Sequence, residues 1–457
     1  MKTFYFSLIF ITMAALLTYS CKNKPKVPET KTEYRKIMPE WAKDAVIYEV
    51  NIRQHTPDGT FKSFIKDIPR LKEMGIDILW IMPIQVIGEF NRKGGLGSYY
   101  SLKDYRKVNP EYGSFEDFKQ LVKTAHENNM YVILDWVANH TAWDHYWTKY
   151  KPEFYSKDKN GNFIPPVEDW EDVIDLNYDN HELWDSMIGA MKYWLIEANI
   201  DGFRCDVAEM VPTEFWNEAR KQLDQIKPVF MLAEAEKPEH HEKAFDMSYS
   251  WWLLHGMNQI AKGEKPVTEL DTILIWEAEN FPPGSVRMRF TTNHDENSWN
   301  GTEFERYGDG HLTFSVLCFT LPGMPLLYSG QEAAMNKRLR FFDKDTVDWG
   351  DYKYQEFYKN LIKLKKRNQA LWNGEYGGTM EILHSYPDSP VFAFKRVKGE
   401  NEVVVILNLS DKPASLSMNM LDKTNVYYEY FRLDDYDFKS LENLKLNPWD
   451  YFILIKK

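Results

Sequence analysis

Three cysteines in 457 residues are too few for a disulfide framework, and no Cys-x-x-Cys or His/Cys cluster offers a zinc site. The chain also lacks a basic stripe. Its 56 Lys and Arg stand against 68 Asp and Glu, a net charge of −12, whereas phosphate recognition shows as a basic excess, so no nucleic-acid partner is expected. No Gly-x-Gly-x-x-Gly follows the first β-rich run, and neither His-Glu-x-x-His nor Gly-x-Ser-x-Gly occurs. Those absences remove the dinucleotide-binding, zinc-protease and serine-hydrolase signatures. What is there is ordinary globular material, 44% hydrophobic and 27% charged, which excludes a disordered or collagen-like chain and suffices for a large core.

The chain opens with a targeting pattern. Lys2 precedes a weakly polar-to-apolar run over residues 4–17, shorter than the roughly 20 residues a membrane span needs, and it reads as the core of a signal peptide. Leu17-Thr18-Tyr19-Ser20-Cys21 follows, then a polar stretch. A small residue before a cysteine at this place resembles a bacterial lipobox, although Tyr19 departs from its usual pattern. The expectation is a signal peptide over 1–20, an acyl anchor on Cys21 and a tether over 21–40. This makes the protein an exported lipoprotein, held on a membrane at the periplasm or cell surface; the alternative is a cleaved signal with an incidental cysteine. Cys205 and Cys318, both in apolar segments, are read as buried free thiols.

From residue 45 the pattern alternates β and α. Phe64, Ile65, Ile68, Leu71 and Met74 recur at helical spacing, Gly75 stops the helix, and residues 76–82 form a nearly continuous apolar strand of the kind buried on both faces. Ser114-Phe115-Glu116-Asp117 opens the next helix as a capping box. Strands are expected at 45–50, 76–82, 130–134, 202–205, 229–233, 286–291 and 325–328, with a weaker one at 245–249. Eight strands close a (β/α)₈ barrel, placed at 41–140 and 180–373; a doubly wound sheet is the alternative. Residues 141–179 are too many for a βα loop and read as an inserted domain after strand three. Residues 374–457 read as a C-terminal antiparallel β-sandwich.

In such a barrel, chemistry sits where the strands end. Four acids fall there: Asp135, Asp206, Glu234 and Asp295. One acid alone is as readily a helix N-cap, but four on one rim repel and demand cations. Arg204 lies two residues before Asp206, on the same side of the strand, and would hold it ionised as a nucleophile requires. Glu234 follows an apolar run, where desolvation would keep it protonated as a general acid. His140 and His294 offer hydrogen bonds to hydroxyl groups, though either alone is as readily structural. One acid paired with one base or nucleophile is the pattern of glycoside hydrolysis.

Asp135-Trp136-Val137-Ala138-Asn139-His140, Gly202-Phe203-Arg204-Cys205-Asp206, Leu232-Ala233-Glu234 and Thr292-Asn293-His294-Asp295 resemble, in order, the four signature regions of the α-amylase family, glycoside hydrolase family 13. Tyr48-Glu49-Val50, Gly97-Ser98-Tyr99-Tyr100, Asp175-Leu176-Asn177 and Leu327-Tyr328-Ser329-Gly330-Gln331-Glu332 extend the similarity. The resemblance implies Asp206 as nucleophile, Glu234 as acid/base and Asp295 as transition-state stabiliser. Tyr100, His140, Arg204 and His294 are implied as sugar-binding residues, and Asp135 as a structural partner of Arg204. The implied partner is an α-glucan or malto-oligosaccharide substrate, hydrolysed with retention. No cofactor is required; calcium on Asn139, with oxygens from Asp169, Asp172 and Asp175, is the candidate metal. Glu209-Met210 replaces the Lys-His of many endo-acting members, which shifts weight toward short oligosaccharides, pullulan or cyclodextrins. A transglycosylase of the same family and a non-catalytic glucan-binding lipoprotein are the competing readings.

Overall fold

The structure, a computed structural model, describes residues 38–416, 425–437 and 441–457. The expected signal peptide, Cys21 and nearly all of the tether lie outside the described residues. Eight parallel strands close a barrel in chain order: β1 (Ile47–Val50), β2 (Ile78–Ile81), β3 (Tyr131–Val137), β4 (Gly202–Asp206), β5 (Phe230–Ala233), β6 (Met247–Ser248), β7 (Val286–Arg289) and β8 (Met324–Tyr328). The ring closes where Ile47 of β1 lies opposite Leu326 of β8. Apart from Tyr131, every residue of these strands is buried, as in a parallel sheet covered on both faces, and this includes the charged residues of β4 and β7. The weak sixth strand shrinks to two residues because Asp246 turns its carboxylate to Arg220 (2.8 Å) and to the Met231 N–H (2.9 Å).

The helices follow their local signals, with one correction. Ser114 and Asp117 form a reciprocal capping box on helix Phe115–Glu127, whose Phe118, Leu121, Val122 and Ala125 are buried. The stripe from Phe64 to Met74 is two helices, Phe61–Ile65 and Ile68–Met74, because Pro69 has no N–H to continue the first and fits only the opening turn of the second. Gly202 is required at the start of β4: a Cβ there would lie 1.9 Å from the Phe230 carbonyl oxygen.

Two excursions leave the C-terminal end of the barrel. After β2 the chain forms a hairpin, Gln85–Ile87 with Leu102–Val108, that the apolar pattern did not reveal. After β3 a second ladder, His140–Ala142 with Val173–Asp175, brackets the expected insertion. The C-terminal region is a six-stranded antiparallel sheet backed by a two-stranded ladder, Ala414–Leu416 with Leu444–Leu446. Its period of two divides the strands cleanly. Phe392, Phe394, Val403, Val405 and Leu407 join the barrel's core, while Val391, Ala393, Val404 and Ile406 pack with the ladder residues Leu416, Leu444 and Leu446.

Candidate active site

Strand register builds the site. β3 and β4 pair Asp135 with Arg204 and Val137 with Asp206, and β4 pairs with β5 so that Glu234, just past the strand, donates its N–H to the Cys205 carbonyl at 3.0 Å. Arg204 has no exposed surface. Its Nη1 donates to Asp135 Oδ1 (3.0 Å) and Asp206 Oδ1 (2.9 Å), its Nη2 lies 2.9 Å from Glu234 Oε2, and its Nε donates to the Tyr249 hydroxyl (3.2 Å). One guanidinium therefore gathers three carboxylates from three adjacent strands. Asp135 was expected beyond the end of its strand, but β3 continues to Val137. The residue is inside the barrel, fully buried, and is also held by Trp80 Nε1 (3.0 Å) and the Tyr100 hydroxyl (3.1 Å).

Glu234 Oε2 also accepts the Val207 N–H at 2.8 Å. To present that N–H, Val207 takes φ 34° and ψ 44°, a left-handed conformation costly for a β-branched residue. On the other side, the loop after β7 brings in Asp295. His294 Nε2 is 3.2 Å from Asp295 Oδ2 and 2.8 Å from the Tyr100 hydroxyl, while its Nδ1 meets Glu49 of β1 at 2.5 Å.

Electrostatics follow from this crowding. Burial pulls His294 down, but Asp295 and Glu49 on either side more than offset it and raise it to about 9, so it is an imidazolium at neutral pH. Burial raises Asp295 to about 6, with Glu234 and Glu49 adding to it against the pull of His294 and Arg204. Its side chain keeps 32% of its surface open to the cavity. Burial also pushes Asp206 up, opposed by Arg204 and assisted by Glu234 and Asp135. Burial lowers His140 to about 4, which keeps it neutral. Glu49, Asp135, Asp206, Glu234 and Asp295 outnumber the two cations Arg204 and His294, a field that favours a centre gaining positive charge.

These groups open into a cavity of about 510 Å³. Asp206, Glu234, Asp295, Tyr100, His140 and His294 line it. Arg204 does not; it acts from behind, through the carboxylates, where a sugar contact had been expected. Sequence reasoning missed Trp299, Phe341 and Phe342 in the wall. Trp299, half exposed, stacks at a tilt on Phe341 (5.2 Å), Phe342 is adjacent, and Trp170 stands edge-on to His140 (5.5 Å) across the opening. Trp147 is buried, and Trp143, Trp251 and Trp252 pack against the core rather than line the cavity. The adjacent Phe341-Phe342 in a loop otherwise full of charge was the available signal.

The calcium set does not assemble. Lys93 Nζ donates to the Asp169 carbonyl (2.5 Å) and lies 3.5 Å from Asp172 Oδ1, and the Asn139 amide faces His140 Nδ1 at 3.3 Å. An ammonium thus sits on two of the four groups expected to hold the cation. Among the described residues, no group of three His, Cys, Asp or Glu side chains is placed to hold a metal. Cys205 and Cys318 are free and buried.

Comparison with known proteins agrees with the geometry. The model of the α-amylase catalytic domain matches residues 30–168 and 167–379. Alpha-amylase 2 of Dictyoglomus thermophilum is 26% identical, over 92% of this chain and 77% of its own. A cyclomaltodextrinase of Thermoanaerobacter pseudethanolicus is 23% identical, over 84% and 73%. Among solved structures, a noncanonic maltogenic α-amylase from Thermotoga neapolitana superposes with a TM-score of 0.82 at 30% identity, covering 91% of this chain and 99% of that one.

Proposed function

The chain belongs to the α-amylase family, an enzyme family acting on α-glucans, and from that premise we propose that it is a retaining hydrolase of α-glucosidic bonds in starch-type glucans or malto-oligosaccharides. One observation carries this reading: a single guanidinium touches both Asp206 and Glu234, with Asp295 across the same cavity. Retention needs nucleophile and acid at a short spacing, about 5–5.5 Å, and a shared guanidinium enforces closeness. Asp206 attacks the anomeric carbon from one face while Glu234 protonates the departing oxygen. Water, deprotonated by Glu234, then releases the sugar, and two inversions restore the α-configuration. Oε2 of Glu234 is committed to Val207 and Arg204, which leaves Oε1 as the oxygen that exchanges the proton. Asp295 and the excess of carboxylates stabilise the oxocarbenium-like transition state, and Tyr100 and His140 bind the ring.

The aromatic wall of Trp299, Phe341 and Trp170, together with Glu209-Met210 after the nucleophile, supports short oligosaccharides as substrates. The maltogenic and cyclomaltodextrin-cleaving relatives point the same way. We further propose that the enzyme is exported and membrane-held by an acyl chain on Cys21, a reading that rests on the apolar run and the lipobox-like pentad; membrane association of the native chain should be lost in Cys21→Ala. The test of the reaction is to incubate the protein with starch, pullulan, a cyclodextrin and panose and to follow products and their anomeric form by NMR. α-Anomers from the first turnover are expected. β-Anomers alone would sink the mechanism, and products longer than the substrate would make the enzyme a transferase.

A further inference from the structure

At the opposite end of the barrel, where the chain enters β7 and β8, a second cavity of about 340 Å³ lies between helix Glu269–Asn280 and the first strands of the C-terminal sheet. Phe281, Pro282, Trp372, Met380 and Ile382 form apolar walls, and three arginines form the rest. Two of these are neutralised. Arg287 Nε and Nη2 meet Glu277 Oε1 (3.0 Å) and Glu236 Oε1 (2.8 Å), and Arg289 Nη2 meets Glu277 Oε2 (2.6 Å).

Arg396 is different. It is 1% exposed, and its bonds run only to backbone carbonyls: Nε and Nη2 to Gly378 (3.2 and 3.1 Å), Nη1 to Thr320 (3.0 Å). Among the described residues no carboxylate lies within 4 Å of it. A guanidinium has five N–H groups, so two of its Nη hydrogens have no protein acceptor. Burial and the charge of Arg289 lower it to about 9, which still leaves it cationic at neutral pH. Near it in space, Lys365 is also fully buried and donates only to the carbonyls of Gly323 (3.2 Å) and Leu371 (2.5 Å); burial and the charge of Arg396 hold its pKa well below the ordinary lysine value, so the charge left in this seam is that of Arg396. Buried charges are ordinarily paired, because an unpaired one forfeits its hydration without return. In a chain of net charge −12, a concave site with an unpaired buried cation is a place for a counter-ion.

We propose that this cavity is a binding site for a small molecule bearing a phosphate or carboxylate group, its oxyanion on the free edge of Arg396 and its body against Trp372 and Met380. A guanidinium offers two parallel N–H groups that match an oxyanion's geometry. Such a ligand would bridge the barrel, through the end of helix His311–Thr320, to the C-terminal sheet that carries Arg396.

The test is isothermal titration of the whole protein, at constant ionic strength in chloride, with glycerol 3-phosphate and glycerate, and with glycerol as the neutral control. Saturable binding of one equivalent is expected for at least one of the two anions and none for glycerol; which anion binds more tightly identifies the group. Arg396→Met should weaken binding at least about tenfold. Met380→Trp, which fills the mouth but keeps the guanidinium, should do the same while starch hydrolysis and melting temperature stay at wild-type values. No saturable binding of either anion at millimolar concentration, or binding unchanged in Met380→Trp, overturns the proposal.

Discussion

At Arg204, one side chain restrains three carboxylates that would otherwise repel, so its removal is felt by each of them. A lysine has no fork and reaches one partner at a time. Arg204→Lys should therefore lower kcat by roughly 10²-fold or more with a smaller change in KM, read by steady-state kinetics on a malto-oligosaccharide. Asp295 carries a sign that can be checked. Its folded-state value, about 6, lies above the ordinary carboxylate value, so the fold disfavours its ionised form. That penalty is absent where the group is protonated in both states, grows through the interval between the two values, and is complete above about pH 6. Asp295→Asn should then melt higher than wild type at pH 7–8, by on the order of 1–2 kcal/mol after screening, and the advantage should vanish near pH 4. Replacing His294 with Asn removes the cation that pulls Asp295 down, so the acid limb of kcat/KM should move to higher pH. Asp206, Glu234 and Asp295 were legible in the sequence because each sits in a short motif. Glu49 and Tyr249 were not, since their roles arise only from facing His294 and Arg204 across the barrel.

Among the elements, register decides more than propensity. β4 can lie against β5 only because residue 202 has no side chain, with the Phe230 carbonyl where a Cβ would be. Gly202→Ala should disrupt the β4–β5 pairing, displace Arg204, and leave little soluble protein with low activity in an expression and circular-dichroism comparison. Besides Asp295 and His294, the loops after β7 and β8 contribute the stacking surfaces Trp299 and Phe341. Phe341→Ala should reduce kcat/KM on malto-oligosaccharides about three- to tenfold, chiefly through KM, the range expected for one lost aromatic contact. The barrel strands were readable as apolar runs bounded by turn residues. The hairpin after β2 was not: Leu102–Val108 carries Lys103, Asp104, Arg106 and Lys107, and with polar residues on both sides it shows no period. The division of one helix into two was readable in principle, from Pro69, but apolar spacing continued across the break.

For the whole molecule, the consequence of packing is that barrel and C-terminal sheet share a core. Phe392, Phe394, Val403 and Val405 belong to the same buried cluster as the barrel strands. Heat should unfold the two together in one calorimetric transition, and a chain ending at residue 378 should not yield a stable barrel, because the apolar face it exposes is large. What the amino-acid order alone determined is the local chemistry: eight apolar runs, their turns, and acids stationed where those runs stop. Such information is carried by near neighbours, and periodicity exposes it. Only the tertiary structure decided that Asp135 and Arg204 retreat behind the cavity wall, that Lys93 sits on two of the expected calcium groups, and that Arg396 is left without a counter-charge. Those outcomes depend on which distant side chains meet once the chain has folded, and no pattern along one element encodes what will face it from another.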